Sequence, residues 1–374
     1  MLCDETDQTP ALSSPDQAET LPTEKLFVPE PVYSASLDTF TCGVSWSPAG
    51  DSCAVATQTR LHVFAGVGGD QDLSEVSRRP SASVKQAECL YCWCWAVVGD
   101  RDHLVTTGRY QPVHLYRHHL DTLHLEGTYK CINHLDELSH AFSVTTDQSV
   151  SSLYCGMVGE VKVFDVSRPG RESWSHLTRG EGGQGGIISC LDTSPTLPVY
   201  AAGSYDKTVG LYSLEGERLC VLRGHQGGVT QVTFTRDGRT LLTGGRKDTE
   251  IIAWDLRKPG QVLYTMRRVV ETNQTVAFTL SPCHSFLISA NTDGSVRLWD
   301  LSGQVDTVTG ELEPVAGWLL HHDAVTGVSW HPAGDRLATA TGQRHVVMEE
   351  EEEESETNIA ENVMTIWRMT NNKS

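Results

Sequence analysis

The sequence has no long apolar run, no basic cluster and no apolar leader. No apolar stretch approaches the roughly 18 residues that suggest a membrane span. The N-terminus is polar and acidic, so we expect neither a secretory signal nor a transit peptide. The eleven cysteines lack pairing spacings, which is typical of a reducing interior. We therefore expect no membrane association, while the absence of a Lys/Arg-rich cluster leaves the compartment without a targeting motif.

Motifs for the common enzyme chemistries are also missing. The sequence contains no P-loop, no His-Glu-x-x-His and no paired catalytic carboxylates. The cysteines between residues 89 and 94 suggest half of a zinc motif, but no second Cys or His pair stands at ligand spacing. His225, Asp248 and Thr243 suggest a triad, yet no nucleophile elbow accompanies them. We therefore expect no enzyme, no metal and no cofactor.

The formal net charge of −19 is concentrated in two segments. Residues 1–30 contribute −6 and residues 349–361 contribute −8, so the rest of the chain carries only −5. The acidic total is therefore weak evidence against a nucleic-acid partner. Both regions are polar, so we expect a disordered acidic tail over residues 1–30 and a disordered acidic insertion over residues 345–362.

What the chain does contain is an internal repeat. Each unit has an alternating apolar strand, a turn, a second strand that ends in small residues and a third that ends in an aromatic residue. Those aromatic residues are Phe64, Tyr116, Phe164, Tyr212, Trp254, Trp299 and Trp367. Most spacings are near the ~40–45 residues of a WD repeat. We predict an all-β, seven-bladed WD-repeat β-propeller over residues 31–370.

Each unit also requires a fourth, outer strand, such as Arg218–Leu222. Only seven residues follow Trp367, too few for a good outer strand in the last unit. We therefore predict that Val32–Ser36 supplies the outer strand of blade seven. An N-terminal strand in that place would close the ring and remove an open sheet edge.

Blade five carries both the Gly-His and the Trp-Asp elements of the repeat. In WD repeats, a histidine, an aspartate, a serine or threonine and a tryptophan form a hydrogen-bonded chain within the blade. The residues at these positions are His225, Thr243, Asp248 and Trp254. We interpret these four as structural.

The loops between second and third strands emerge on one face and carry the unusual residues. Alignment on the third strand puts Asp206, Asp248 and Asp293 at one turn position, which Tyr110 and Arg344 take in blades two and seven. The candidate contact residues on this face are Arg109, Tyr110, Tyr205, Lys207, Arg246, Lys247, Gln274, Gln343 and Arg344. The loops that lead into the first strands add Asn133-His134, Gln184, Gln226 and Asn273.

This set of side chains suits single-stranded RNA. Arg and Lys neutralise phosphates, Tyr and Arg planes stack on exposed bases, and amides read base edges. The turn sequence Gly203–Thr208 is common in WD repeats, so the pattern alone favours a protein partner for these loops.

Three peptides are not required by a generic propeller: Asn133–Leu138, Ser167–Arg171 and Ala340–Arg344. With Tyr200–Tyr205, Gly245–Asp248 and Thr272–Gln274, among others, they resemble the telomerase Cajal body protein family, a WD-repeat family that binds small Cajal-body RNAs. The resemblance covers the chain from about Cys42 to Arg344.

The resemblance implies a non-catalytic RNA-binding localisation factor. Such a factor recognises the CAB box of small Cajal-body RNAs, and telomerase RNA where present, and directs the ribonucleoproteins to Cajal bodies in the nucleus. The implied partners are dyskerin-containing H/ACA ribonucleoproteins and Cajal-body proteins. Arg246, Lys247, Gln343 and Arg344 match family positions as candidate RNA contacts, whereas we interpret His225 and Arg171 as structural. A WD-repeat protein–protein scaffold without direct RNA recognition is the alternative.

Overall fold

The computed structural model describes residues 27–69, 73, 76–119, 121–133, 135–343 and 361–371. Within these residues every regular element is a β-strand, and the strands form seven antiparallel sheets of four. No helix among them is long and apolar enough to cross a membrane. The predicted all-β, seven-bladed propeller with WD repeats is confirmed.

The strands follow the chain in blade order. The first, β1, is Phe27–Ser36. Blade one contains β2 (Thr41–Trp46), β3 (Ser52–Thr57), β4 (Arg60–Ala65) and β5 (Ala82–Lys85). Blade two contains β6 (Leu90–Val98), β7 (Arg101–Gly108), β8 (Val113–His119) and β9 (Thr122–Tyr129). Blade three contains β10 (Ser143–Thr146), β11 (Ser152–Gly156), β12 (Glu160–Asp165) and β13 (Trp174–Leu177).

The remaining blades keep the same order. Blade four contains β14 (Ile188–Thr193), β15 (Val199–Ser204), β16 (Thr208–Ser213) and β17 (Arg218–Arg223). Blade five contains β18 (Val229–Phe234), β19 (Thr240–Gly245), β20 (Glu250–Asp255) and β21 (Gln261–Arg267). Blade six contains β22 (Phe278–Leu280), β23 (Phe286–Ala290), β24 (Ser295–Asp300) and β25 (Ala316–Leu319). Blade seven contains β26 (Val325–Trp330), β27 (Arg336–Thr341) and β28 (Val363–Asn371).

The second strand of each blade is buried on both faces because a neighbouring blade covers each side. All six residues of β3 are buried, and β15 and β19 each bury five of six. Small residues such as Ala201, Ala202 and Gly203 allow this close approach. The small residues that end these strands are therefore a packing requirement of the ring.

The ring closes through β1, which pairs with β28 as the outer strand of blade seven. Phe27 pairs with Asn371 and Ser36 with Val363, with a bulge between Pro31 and Tyr33. Because β1 is an edge strand, its prolines do not remove ladder bonds on the exposed side. Closure by an N-terminal strand is as predicted.

Two boundaries differ from the expectations. The strand β1 begins at Phe27, so residues 27–30 belong to the propeller and not to the tail assigned over 1–30. Phe27 packs edge-on against Phe286 and Trp330, with ring centroids 5.9 and 6.0 Å away. Phe27 lies at the end of a polar stretch, so the composition of residues 1–30 does not indicate that a strand begins there. Residues 1–26 lie outside the described residues.

The insertion assigned over 345–362 is shorter at its C-terminal end. Asn362 accepts a hydrogen bond from the Leu37 amide at 2.8 Å, and the carbonyl of Glu361 accepts one from the Thr341 hydroxyl at 2.6 Å. These two residues therefore belong to blade seven. Residues 344–360, including Arg344, lie outside the described residues.

Candidate nucleic-acid interface

Two kinds of loop between strands lie on the same face of the propeller, which we call the upper face. It carries the turns between second and third strands, such as residues 246–249, and the loops that lead into each first strand, such as residues 224–228. The strand register in blade five places Val229, Gly245, Glu250 and Arg267 at the same end of the sheet. The predicted contact residues that are described lie on this face.

In blade five, four buried side chains join the upper face to the sheet. His225 contacts Asp248 through Nδ1 at 2.8 Å and Thr243 through Nε2 at 2.7 Å. The Thr243 hydroxyl also accepts the indole N–H of Trp254 at 2.8 Å. The four buried residues thus form a continuous hydrogen-bonded chain inside the blade.

Asp248 fixes the shape of the turn 246–249. Burial alone would raise the pKa of Asp248, but hydrogen bonds from His225 and from the amides of Glu250 and Gly227 outweigh it and lower the pKa. The carboxylate also accepts the Gln226 amide at 3.0 Å. One ionised side chain therefore holds both the turn and the preceding loop.

Thr243→Val tests this network. We expect it to lower the free energy of unfolding by about 2–4 kcal/mol, because it leaves the buried Trp254 indole and His225 Nε2 without a partner. Ser289→Ala is the matched control, since Ser289 holds the same place in blade six but bonds only its neighbour Ala290, at 2.8 Å. Thermal unfolding followed by circular dichroism compares the two. Equal losses would argue against a special role for the network.

The turn 246–249 presents two cations to solvent. The Arg246 guanidinium stacks on the Tyr205 ring, 4.1 Å from its centroid, and so joins blades five and four. Lys247 is exposed and has a left-handed φ of 47°. Its amide bonds the Thr272 carbonyl at 3.2 Å, which ties the turn to the loop of Gln274. We call Tyr205, Lys207, Arg246, Lys247 and Gln274 the basic cluster.

Two glycines are required beneath this cluster. A Cβ on Gly227 would lie 1.8 Å from the Arg246 carbonyl oxygen. A Cβ on Gly228 would lie 3.0 Å from Tyr205 Cα and 3.1 Å from Arg246 Nε. The loop can therefore approach the stacked pair only without side chains at these positions.

Arg268 lies under the same region and was not predicted. It is 2% exposed and donates to the carbonyls of Val276 at 2.8 Å and Gly245 at 3.0 Å. Burial lowers the pKa of Arg268 to about 10, which still leaves the guanidinium charged at neutral pH. A buried cation therefore supports the basic cluster from below.

The alignment of Tyr110 with Asp248 is wrong. Blades two and five both have four-residue turns, and Tyr110 shares the left-handed φ of Lys247, at 54°. The residue equivalent to Asp248 is Gln111, whose amide, oriented to satisfy its neighbours, accepts the amides of residues 87 and 88 at 2.7 and 3.3 Å. Blade two has thus replaced the turn aspartate by glutamine, one residue after Tyr110.

The alignment of Arg344 with the turn aspartate of blade seven is also wrong. That place belongs to Glu361, which contacts His321 Nδ1 at 3.0 Å and accepts the His322 amide at 3.0 Å. His321 Nε2 and the Trp367 indole both meet Thr339, at 2.8 and 2.9 Å. In the sequence, the acidic insertion stands between the second strand and Glu361. The alignment therefore assigned the turn position to Arg344, which precedes the insertion. His321 is therefore part of a hydrogen-bonded blade network like that of His225.

Gln184 is not available to a ligand, although the sequence placed it among the loop residues of this face. It is fully buried, donates to the Thr208 hydroxyl at 3.0 Å and accepts the Tyr212 hydroxyl at 2.9 Å. Asn133 is engaged in its own loop, where its side chain accepts the amides of Leu135 and Glu137 at 2.9 and 3.0 Å. His134 lies outside the described residues.

The remaining candidates fall into separate places on the ring. Arg109 and Tyr110 stand in blade two, with the guanidinium 5.0 Å from the ring centroid. Gln343 is half-buried at the end of blade seven's second strand, next to the undescribed segment. The structure therefore assembles the basic cluster in blades four to six and a second group in blade two.

Cysteines and acidic residues offer no metal centre in the part of the chain that the structure describes. No group of three or more His, Cys, Asp or Glu side chains there could hold an ion. Burial raises the pKa of both Cys92 and Cys94, which keeps the thiols protonated. Protonated thiols are poor metal ligands.

Comparison with known proteins agrees with this architecture. The family described as WD domain, G-beta repeat matches residues 175–213, 216–255, 266–300 and 313–348. Telomerase Cajal body protein 1 of Mus musculus is 37% identical over 325 residues, which cover 83% of this chain and 60% of that protein. The Homo sapiens protein of the same name is 36% identical over 326 residues, 83% of this chain and 58% of that protein.

A more distant relative extends the comparison. Telomerase Cajal body protein 1 homolog of Drosophila melanogaster is 30% identical over 253 residues, 64% of this chain and 43% of that protein. The chain thus spans at most about three fifths of these relatives' length. It is a WD-repeat protein whose propeller is homologous to the proteins named Telomerase Cajal body protein 1, as the resemblance of its loop peptides predicts.

Proposed function

We propose that the chain is a non-catalytic RNA-binding localisation factor. It recognises the CAB box of small Cajal-body RNAs, and of telomerase RNA where present, and directs the ribonucleoproteins to Cajal bodies in the nucleus. Its partners in this role include dyskerin-containing H/ACA ribonucleoproteins and Cajal-body proteins. The names of its relatives support the location, and the basic cluster supports direct contact with RNA.

The observation that carries the proposal is the Arg246–Tyr205 stack on a rigid support. A guanidinium held over an aromatic ring can also stack against an unpaired base. Exposed Lys247 and Lys207 flank it at positions with left-handed backbones, φ 47° and 70°. The cluster therefore combines a stacking surface with phosphate-neutralising charge, as single-stranded RNA requires.

A hairpin-loop binding assay tests the proposal. We expect purified protein to bind a loop with the CAB box at least about tenfold more tightly than the same hairpin with a scrambled loop, since each mismatched contact removes about 1–3 kcal/mol. Fluorescence anisotropy at several salt concentrations measures both affinities. Affinity should fall with salt by a logarithmic slope of roughly 0.7 per phosphate neutralised. Equal affinity for both loops would contradict sequence recognition.

Crosslinking in cells separates this function from a protein-only scaffold. Sequencing of RNA crosslinked to the protein should recover RNAs that carry the CAB box, with crosslinks at the loop. If the protein is instead a scaffold that binds an acidic peptide through the same residues, the experiment should show no enriched RNA.

A further inference from the structure

A group of aromatic side chains lies on the upper face between blades two and three, apart from the basic cluster. We call Tyr91, Tyr110, His140 and Phe142 the aromatic patch. The Tyr110 and His140 rings meet edge to face with centroids 4.6 Å apart, and Tyr91 lies 5.1 Å from Phe142. His140 also contacts Tyr91 at 6.2 Å and Phe142 at 5.9 Å. The four rings thus form one continuous surface.

The patch is open to solvent where a ligand would reach it. Tyr110 is 58% exposed and Tyr91 is 37% exposed. Single exposed rings are common on protein surfaces, whereas a contiguous group of exposed aromatic rings often marks a binding site. Tyr110 also keeps a left-handed φ of 54°, a conformation that glycine or asparagine would adopt at lower energy. The turn therefore holds a strained residue whose ring faces outward.

The neighbouring charges favour a nucleotide over an apolar peptide. The Arg109 guanidinium lies 5.0 Å from the Tyr110 ring centroid and is about half exposed. Its ion pair with Glu88 is loose, at 3.8 Å, and its side chain also hydrogen-bonds Tyr110. A cation beside an exposed ring gives a phosphate contact and a stacking face within one nucleotide's reach.

His140 fixes the ring that would stack. The Tyr110 amide donates to His140 Nδ1 at 3.3 Å, so the imidazole meets both the backbone and the ring of the same residue. Phe142 and Tyr91 support the imidazole from the inner strand side. The base-facing ring is thus held before a ligand arrives, which reduces the entropy lost on binding.

We propose that the aromatic patch is a stacking subsite for one unpaired base of the RNA loop, with Arg109 on the adjoining phosphate. The inference rests on the proposed function and adds a second contact region to the basic cluster. It assigns new roles to Tyr91, His140 and Phe142, which nothing in the sequence pattern marked. The RNA then spans from blade two to blade six across the upper face.

An abasic-site scan combined with a ring-removing variant tests the subsite. Each loop nucleotide of the hairpin is replaced in turn by an abasic residue, and affinity is measured for the unaltered protein. We expect one position outside the reach of the basic cluster to lose about 5- to 150-fold, the equivalent of one stacked base. In Tyr110→Leu this loss of affinity at the abasic position should disappear, because the variant has no ring on which the base could stack. A 2-aminopurine at that position should be quenched by the unaltered protein and not by the variant.

Two further variants keep the test interpretable. Tyr110→Phe restores a ring on the same strained backbone, and should restore the abasic penalty. Trp174→Leu removes another exposed ring, 63% exposed on the outer strand β13, and should leave the penalty unchanged. An abasic penalty that is the same in Tyr110→Leu as in the unaltered protein would overturn the subsite. Failure of the proposed function would look different, with no preference for the CAB-box loop in any of these proteins.

Discussion

Arg246→Ala combined with Lys247→Ala is expected to weaken binding of the CAB-box hairpin by about 10- to 1000-fold. The variant removes the guanidinium that stacks on Tyr205 at 4.1 Å and the exposed cation beside it. Loss of one base stack accounts for about 1–3 kcal/mol. Loss of phosphate contacts should also flatten the salt dependence, by a logarithmic slope of roughly 0.7 per contact. Fluorescence anisotropy over a salt series measures both changes.

The chain offers a matched control for the lost charge. Arg257 and Lys258 are another adjacent Arg-Lys pair in blade five, but they lie in the connection between β20 and β21, at the opposite end of the sheet. Both are exposed, and Arg257 pairs with Asp255 at 2.9 Å. Replacing this pair by alanines should change affinity less than about threefold at moderate salt, where distant charges are screened. Equal losses for both pairs would indicate attraction by net charge alone.

The fold of the double variant must be checked because Arg246 also joins two blades. A half-buried cation–π contact contributes about 0.5–2 kcal/mol. The Asp248 network beneath the turn stays intact, since His225 and the backbone amides hold it without Arg246. We therefore expect the thermal midpoint to fall by only a few degrees while RNA affinity falls strongly. Unchanged affinity would remove both residues from the site.

The fold could be predicted because its signals are local and repeated. The third strands of the last three blades are recognisable from a tryptophan near their C-terminal end: Trp254, Trp299 and Trp367. Each of these side chains is buried, as the repeat predicts. The need of every repeat unit for an outer strand predicted a closing strand, and β1 pairs with β28 in that place. Such features do not depend on how long the turns are.

The turns of the upper face were harder to align because their lengths differ. Blades two and five have four residues between second and third strands, whereas blade four has three. In blade two, a shift of one residue assigned the position of the turn aspartate to Tyr110 instead of Gln111. In blade seven, residues 344–360 separate Glu361 from the second strand, so Glu361 was not recognised. Alignment from the first residue of each third strand as the structure defines it corrects both, since Gln111, Asp248 and Glu361 all stand two residues before that residue.

A second regular spacing could have identified the buried loop residues. Gln86, Gln184, His225 and His321 each stand four residues before the first strand of their blade. All four are buried and hydrogen-bond within their own blade. Glutamine can replace histidine here because its amide also donates and accepts. Contacts across blades, such as Arg246 on Tyr205 or Tyr110 on His140, have no such spacing and required the structure.

Ala35→Glu is expected to produce the largest loss of stability. Ala35 is 1% exposed in β1, within the apolar cluster that joins Tyr33, Phe64 and Met364. It pairs with Met364, so it lies where the two ends of the described chain close the ring. A carboxylate there would be buried without a partner, which destabilises by about 3–5 kcal/mol or more. Because β1 supplies the outer strand of blade seven, its displacement would leave β28 as an open edge.

The adjacent residue provides the control for Ala35→Glu. Ser36 lies on the opposite, exposed side of β1 and pairs with Val363. Ser36→Glu introduces the same charge into the same strand, and should change the free energy of unfolding by less than about 0.5 kcal/mol. Thermal unfolding and limited proteolysis compare the two variants. Similar midpoints and similar cleavage would show that blade seven does not depend on β1. The expected result, an early-melting and protease-sensitive Ala35→Glu beside a stable Ser36→Glu, would show that the N-terminal strand holds the ring closed and thereby holds the upper-face turns in register.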